Sequence, residues 1–182
     1  MTSATERPLL FLDVDGPLIP FGLSSGRPQA AATEASGNPL LARLDPVIGS
    51  RLTALGCQLV WATTWMEEAN DVVSPRIGLP RLPLVKWPAT CADESPRGLH
   101  WNTRHLVEWA NGTRTGHPRL RPKQAGCRPF IWVDDEISAM ERLWVDASHP
   151  GPALLHRVDP AKGLTDGDFT ALADWLRLGM PR

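Results

Sequence analysis

Short apolar runs that alternate with helical patterns constrain the fold of this chain more than any other feature. Leu9–Val14, Cys57–Ala62 and Pro129–Val133 are five or six mostly apolar residues each, which is typical of strands buried on both faces. Ala153–Val158 predicts a further strand of the same kind. Strands separated by helices connect through right-handed crossovers. The sequence therefore predicts an α/β fold: a three-layer, doubly wound, Rossmann-like and mostly parallel sheet.

The helical segments are marked by their capping residues and stop signals. Asp45-Pro46 followed by Gly56 predicts one helix, and Thr165 with Asp168 predicts the cap of the last one. Between them we expect helices over 65–73, 100–110 and 136–144, and a short strand over 82–86.

The length of 182 residues predicts a single domain over 1–182. Two segments interrupt the pattern of strands and helices. Residues 17–39 carry four Pro and three Gly and predict a flap, and residues 113–128 predict a basic loop. No segment is left for a large cap domain.

Charge and cysteine content exclude several classes of function. Nineteen basic and twenty acidic residues give a net charge of −1, which disfavours nucleic-acid binding by bulk electrostatics. Three cysteines without a CxxC pair predict neither a disulfide framework nor a cysteine zinc site. The apolar run near the N-terminus is too short for a secretory leader. We therefore expect a cytoplasmic protein that does not enter membranes.

Carboxylates follow two of the predicted strands. Asp13 and Asp15 come at the end of the first, and Asp134 and Asp135 at the end of the third. Ligands of doubly wound sheets bind at the carboxyl ends of the strands, so these four residues should converge. Mutual repulsion would raise their pKa values, and a hard cation with oxygen ligands, Mg²⁺, would relieve it.

Three motifs in order, FLDVDG (11–16), LVWATTW (59–65) and FIWVDDE (130–136), resemble the haloacid dehalogenase (HAD) superfamily. Their wording is most similar to the small HAD domains associated with RNA-repair proteins and to stand-alone actinobacterial relatives. The resemblance implies a Mg²⁺-dependent phosphohydrolase, a phosphomonoesterase that forms an aspartyl-phosphate.

The resemblance also implies the role of each residue. Asp13 would be the nucleophile, and Asp15 would be the general acid and then the general base. Gly16 would allow the sharp turn beside the phosphate. Asp13, the backbone carbonyl of Asp15, and Asp134 would hold Mg²⁺, with Asp135 as a more distant or water-mediated ligand.

The second motif would bind the phosphoryl group. Thr63 is the expected contact, and Thr64 takes its place if the register differs by one residue. Either threonine also fits a plain helix cap.

A cation is missing from the expected place. HAD enzymes supply a Lys or Arg that neutralises the phosphate, but this chain has Asn102 at the expected position. Arg97 and Arg104 flank it, and Lys86 and Lys123 lie elsewhere. We therefore include Asn102 and Arg104 among the candidate substrate-binding residues, and a catalytically weak HAD fold that binds phosphate ends or a protein partner is an alternative.

An open site without a large cap favours a bulky or macromolecular phosphorylated substrate, of which a nucleic-acid end is one alternative. The eight tryptophans favour core packing over base stacking, with Trp65 and Trp101 expected nearest the site. The basic stretch Arg114–Arg128 favours a solvated loop over a nucleic-acid contact. The five histidines favour surface or core positions, because none has metal-ligand spacing.

Overall fold

Four parallel strands form the central sheet of the computed structural model, which describes residues 7–22, 38–87, 98–112 and 127–178. Their order across the sheet is β2-β1-β3-β4. The strand bounds are β1 Leu9–Leu12, β2 Gln58–Trp61, β3 Phe130–Asp134 and β4 Ala153–Arg157. Four of the predicted strands are confirmed, each shorter by one or two residues or shifted by one.

Helices cover both faces of this sheet. They are α1 Ile48–Ala54, α2 Ser74–Arg76, α3 Thr103–Ala110, α4 Ala139–Ser148 and α5 Asp166–Leu178, with a 3₁₀ turn at Pro39–Arg43 and a π-helical turn at Ala69–Val73. Among the described residues, no helix combines the length and the apolar character needed to cross a bilayer.

The strands are apolar on both faces because both faces are buried. Leu10 and Leu12 pack in one cluster with α1 and α5, through residues such as Leu52 and Leu172. Leu9 and Phe11 point the other way and pack in a second cluster with α3 and α4. All four β1 side chains are fully buried. The predicted three-layer α/β architecture is confirmed.

Several helix starts differ from the sequence prediction. The helix expected over 136–144 begins at Ala139, because Ser138 and Glu141 form a capping box that fixes its first turn. The helix expected from His100 begins at Thr103. The strand expected over 82–86 is only a single bridge between Leu84 and Trp61.

The starts of the first and last helices, α1 and α5, agree more closely with the predicted caps. Val47 donates its backbone N–H to Asp45 Oδ1 at 3.1 Å, although α1 itself begins at Ile48. The backbone N–H of Thr165 donates to Asp168 Oδ2 at 2.7 Å, as predicted for the start of α5.

The predicted flap and basic loop fall mostly outside the described residues, which include only 17–22 and 38–39 of the first and 127–128 of the second. At Arg128 the expectation of a solvated residue is wrong, while the expectation for 114–126 lies outside the described residues. The Arg128 side chain is buried and donates to the backbone carbonyl of Arg7 and to Gln58 Oε1. Arg128 therefore joins the amino ends of β1 and β2.

A buried polar cluster fixes the chain that follows β2. The indole Nε1 of Trp61 donates to Asn70 Oδ1 at 3.1 Å and lies 3.3 Å from Ser74 Oγ. The Asn70 amide also accepts from the backbone N–H of Leu82 and donates to its carbonyl, at 2.8 and 2.9 Å. One side chain thus joins the end of β2, the π-helical turn and the segment that leads to Leu84.

Asn70→Ala should lower the free energy of unfolding by about 2–4 kcal/mol, because it leaves buried donors and an acceptor without partners. Urea denaturation measures the change, with the exposed Ser50→Ala as a control that should shift stability by less than about 0.5 kcal/mol. Equal stabilities of the two variants would contradict this role for Asn70.

Candidate active site

Three carboxylates meet at the carboxyl ends of β1 and β3. Oxygen atoms of Asp13, Asp134 and Asp135 all lie within 4.8 Å of one another. Strand register explains the convergence, because Leu12 pairs with Val133 and the backbone N–H of Asp13 donates to the Val133 carbonyl at 3.1 Å. β1 lies between β2 and β3, so the cluster occupies the crevice where ligands of doubly wound sheets bind.

Burial makes these carboxylates difficult to ionise. It raises the pKa of Asp13 well above its ordinary value, and the charge of Asp134 raises it further. Burial also raises the pKa of Asp134 to about 6, although the backbone N–H of Glu136 opposes the shift. The pKa of Asp135 is raised as well, first by burial and then by the charge of Glu136.

A hard divalent cation fits this donor set. Three carboxylates offer only oxygen ligands, which suit Mg²⁺ better than softer metals. Surface acidic residues often cluster without binding a metal, but Asp134 is only 3% exposed. The raised pKa values show that ionising these carboxyl groups is costly, and the positive charge of a bound cation would offset that cost. The Asp15 carboxylate is not one of the three in the cluster.

Thr63 belongs to the site and Thr64 is exposed. The buried Thr63 hydroxyl hydrogen-bonds the Asp13 carboxylate, which lowers the pKa of Asp13 and partly offsets burial. Thr63 Oγ1 also accepts the backbone N–H of Trp65 at 3.3 Å. One hydroxyl therefore stabilises the local turn and also contacts the Asp13 carboxylate. Phosphoryl binding by Thr63 stays a prediction.

Trp65 connects the second motif to the first. Its indole Nε1 donates to Asp15 Oδ2 at 2.9 Å, across fifty residues of sequence. The next residue, Met66, has φ 51°, the only positive φ of a non-glycine residue in the described part of the chain. A left-handed residue with a long side chain costs about 1–2 kcal/mol, so the surrounding contacts must enforce this turn.

Gly16 leaves room for Asp135. Its φ is +81°, and a Cβ atom built there would lie 2.6 Å from Asp135 Cγ. Any side chain at this position would displace the carboxylate. The predicted turn role of Gly16 thus has a steric reason that the sequence does not reveal.

Comparison with known proteins adds the family. The chain matches the family described as the HAD domain in Swiss Army Knife RNA repair proteins, over residues 9–169. The chain belongs to this family. No curated protein and no solved structure gives a significant match.

Membership supports a hydrolase of the HAD type, and the match spans all three motifs from which the resemblance was inferred. The carboxylate cluster of this HAD domain combines Asp13 of the first motif with Asp134 and Asp135 of the third. Thr63 and Trp65, from the second motif, contact Asp13 and Asp15.

At the position where a HAD cation was expected, an uncharged asparagine belongs to a hydrogen-bond network. Asn102 is buried, and its Oδ1 lies 2.7 Å from His100 Nδ1. His100 Nε2 in turn lies 2.7 Å from Glu136 Oε2. Arg104 is exposed and pairs with Glu108 at 3.0 Å.

Two basic residues outside the predicted set influence the carboxylates of this HAD domain. The charge of His100 acts to lower the pKa of Asp134, and that of Arg157 acts to lower the pKa of Asp135. Arg157 Nε also donates to the backbone carbonyl of Asp135 at 2.9 Å. In the sequence, the signal that could have pointed to Arg157 is its position at the carboxyl end of a predicted strand. For His100 the only such signal is its closeness in sequence to Asn102.

In the metal-free protein, Asp134 should make stability fall as pH rises from about 4 through about 6. Its pKa is about 6 when folded, against an ordinary 3.8, so the folded state binds the proton more tightly and loses stability as the proton leaves. A difference of this size corresponds to about 3 kcal/mol. Asp134→Asn should remove that fall.

Urea denaturation in EDTA at several pH values measures both proteins. The stability of the variant relative to the wild type should increase between pH 4 and 8. Added Mg²⁺ at pH 8 should stabilise the wild type and leave the variant unchanged. Parallel curves of stability against pH for the two proteins would show that burial does not raise the pKa of Asp134.

Proposed function

We propose that this HAD-family protein is a Mg²⁺-dependent phosphomonoesterase that acts through an aspartyl-phosphate on Asp13. The convergence of Asp13, Asp134 and Asp135 within 4.8 Å carries the proposal. These residues, with the backbone carbonyl of Asp15, would hold the ion. When bound, Mg²⁺ supplies the charge that offsets the carboxylates and the phosphate.

In the first step, an oxygen of Asp13 attacks phosphorus and the bond to the leaving oxygen breaks. The Thr63 hydroxyl holds the Asp13 carboxylate. Asp15, held by Trp65, gives its proton to the leaving oxygen.

In the second step, Asp15 accepts a proton from water, and that water attacks the phosphorus of the aspartyl-phosphate. The P–O bond to Asp13 breaks and inorganic phosphate leaves. Both carboxylates return to their starting protonation states, as a catalytic cycle requires.

The substrate we propose is a phosphate monoester whose leaving group is bulky, because the sequence leaves no segment for a large cap. We also propose a cytoplasmic location. Cys57 and Cys127 are free thiols, and burial raises the pKa of Cys57 to about 11, which makes it unreactive.

Asp13→Asn should reduce turnover of p-nitrophenyl phosphate by at least about 10³-fold, because an amide cannot act as the nucleophile. Asp71→Asn, which changes an exposed carboxylate paired with Arg81, is the matched control and should leave turnover unchanged. EDTA should abolish wild-type activity and Mg²⁺ should restore it. Activity that survives in Asp13→Asn would eliminate this mechanism.

A second candidate function is phosphate binding with little turnover, which the buried Asn102 favours. If the missing charge limits the reaction, Asn102→Lys should raise kcat about 10-fold or more. Asn102→Met, similar in length but uncharged, controls for packing, and thermal unfolding checks both folds. A kcat that is already high in the wild type and falls in Asn102→Lys would exclude this candidate.

A third candidate keeps the chemistry and takes nucleic-acid ends as substrate, which the RNA-repair description of the family favours. Phosphate release from a 5′- or 3′-phosphorylated oligonucleotide should then exceed release from the mononucleotide by about 10-fold or more. The preference should weaken steeply with added salt, because strand binding releases counterions. Equal rates for the two substrates would exclude it.

A further inference from the structure

The loop after β2 has an unusual backbone and an unusual contact at adjacent residues. Met66 holds a left-handed conformation, and Trp65 reaches across to Asp15. Thr63 stabilises the loop through its side chain and its backbone. Its Oγ1 accepts the backbone N–H of Trp65, and its backbone carbonyl accepts the indole N–H of Trp87 at 3.1 Å. The loop is therefore built to keep the Trp65 indole in one place.

The chemistry of indole fixes the role of the Asp15 oxygen that it contacts. Indole Nε1–H is a donor only, so Asp15 Oδ2 acts as the acceptor in this 2.9 Å bond. A proton on the Asp15 carboxyl then belongs on Oδ1. The carboxyl group can rotate to exchange its oxygens only if this hydrogen bond breaks.

We propose that Trp65 is a positioning residue that orients Asp15 so that its proton on Oδ1 faces the leaving oxygen. This inference rests on the proposed function, since Asp15 must be the general acid. Trp65 itself neither gives nor takes a proton. It reduces the orientations of the acid to the productive one.

The dependence of rate on the leaving group tests this role. Trp65→Phe keeps an aromatic ring and removes the N–H donor. p-Nitrophenolate leaves with little protonation, whereas an alkoxide needs the acid. Trp65→Phe should therefore lower kcat/KM less than about 3-fold for p-nitrophenyl phosphate and about 10-fold or more for an alkyl phosphate.

Trp87→Phe is the matched control. It also removes an indole N–H that binds the second motif, at the Thr63 carbonyl, but it does not touch the donor to Asp15. Its effect on kcat/KM should be the same factor for both substrates. Replacing Trp65 with benzothienylalanine keeps the bicyclic shape and removes only the N–H donor to Asp15. It should show the same loss concentrated on the alkyl phosphate, which separates the missing donor from any change in packing caused by Phe.

The contact also has a readout that needs no turnover. The experiment records NMR spectra of metal-free protein labelled with ¹⁵N at tryptophan. The indole N–H resonance of Trp65 is assigned as the one that disappears in Trp65→Phe. It should move upfield in Asp15→Ala and stay in place in Asp71→Ala. An unchanged resonance in Asp15→Ala would overturn the inference.

The kinetic outcomes separate the inference from the proposed function. A uniform loss for both substrates in Trp65→Phe, with activity abolished in Asp13→Asn, overturns the positioning role and keeps the phosphatase. Activity that survives in Asp13→Asn overturns both. A loss concentrated on the alkyl phosphate supports both.

Discussion

The cost of removing neighbouring carboxylates from water is the constraint on which the rest of the molecule depends. The register of β1 and β3 brings Asp13 and Asp134 together, where burial raises the pKa of both carboxyl groups. A folded chain tolerates such a site only if the remaining core is stable enough to offset it. Here the offset comes from strands buried on both faces, which contribute apolar contacts to two helical layers at once.

Sequence reasoning found the strands and the acidic site because both depend on local patterns. Fully apolar runs occur where both faces are covered, and the residue after each run lies at the ligand-binding edge. The start of α4 also has a local signal, because Ser138 and Glu141 have the spacing of a capping box, although the expected helix begins at Glu136. The sequence predicts a solvated loop at Arg128, because no local pattern indicates its long-range bonds to Arg7 and Gln58.

The parts of the site that sequence missed are contacts between distant segments. Trp65 was expected near the site, but neither its bond to Asp15 nor the left-handed Met66 could be inferred from residue type. Arg157 reaches the Asp135 carbonyl from β4, and His100 contacts Glu136 from the segment that precedes α3. Each contact requires the sheet order to be known first. The sequence therefore predicts the position of the candidate site better than the long-range contacts that orient its side chains.

Gly16 has a consequence for recognising proteins that share this arrangement. The Asp135 carboxylate occupies the space that any side chain at position 16 would fill. A chain could retain all three aspartates and still be unable to assemble them if another amino acid stood there. Glycine at position 16 is thus as much a requirement for this cluster of carboxylates as the acidic residues themselves.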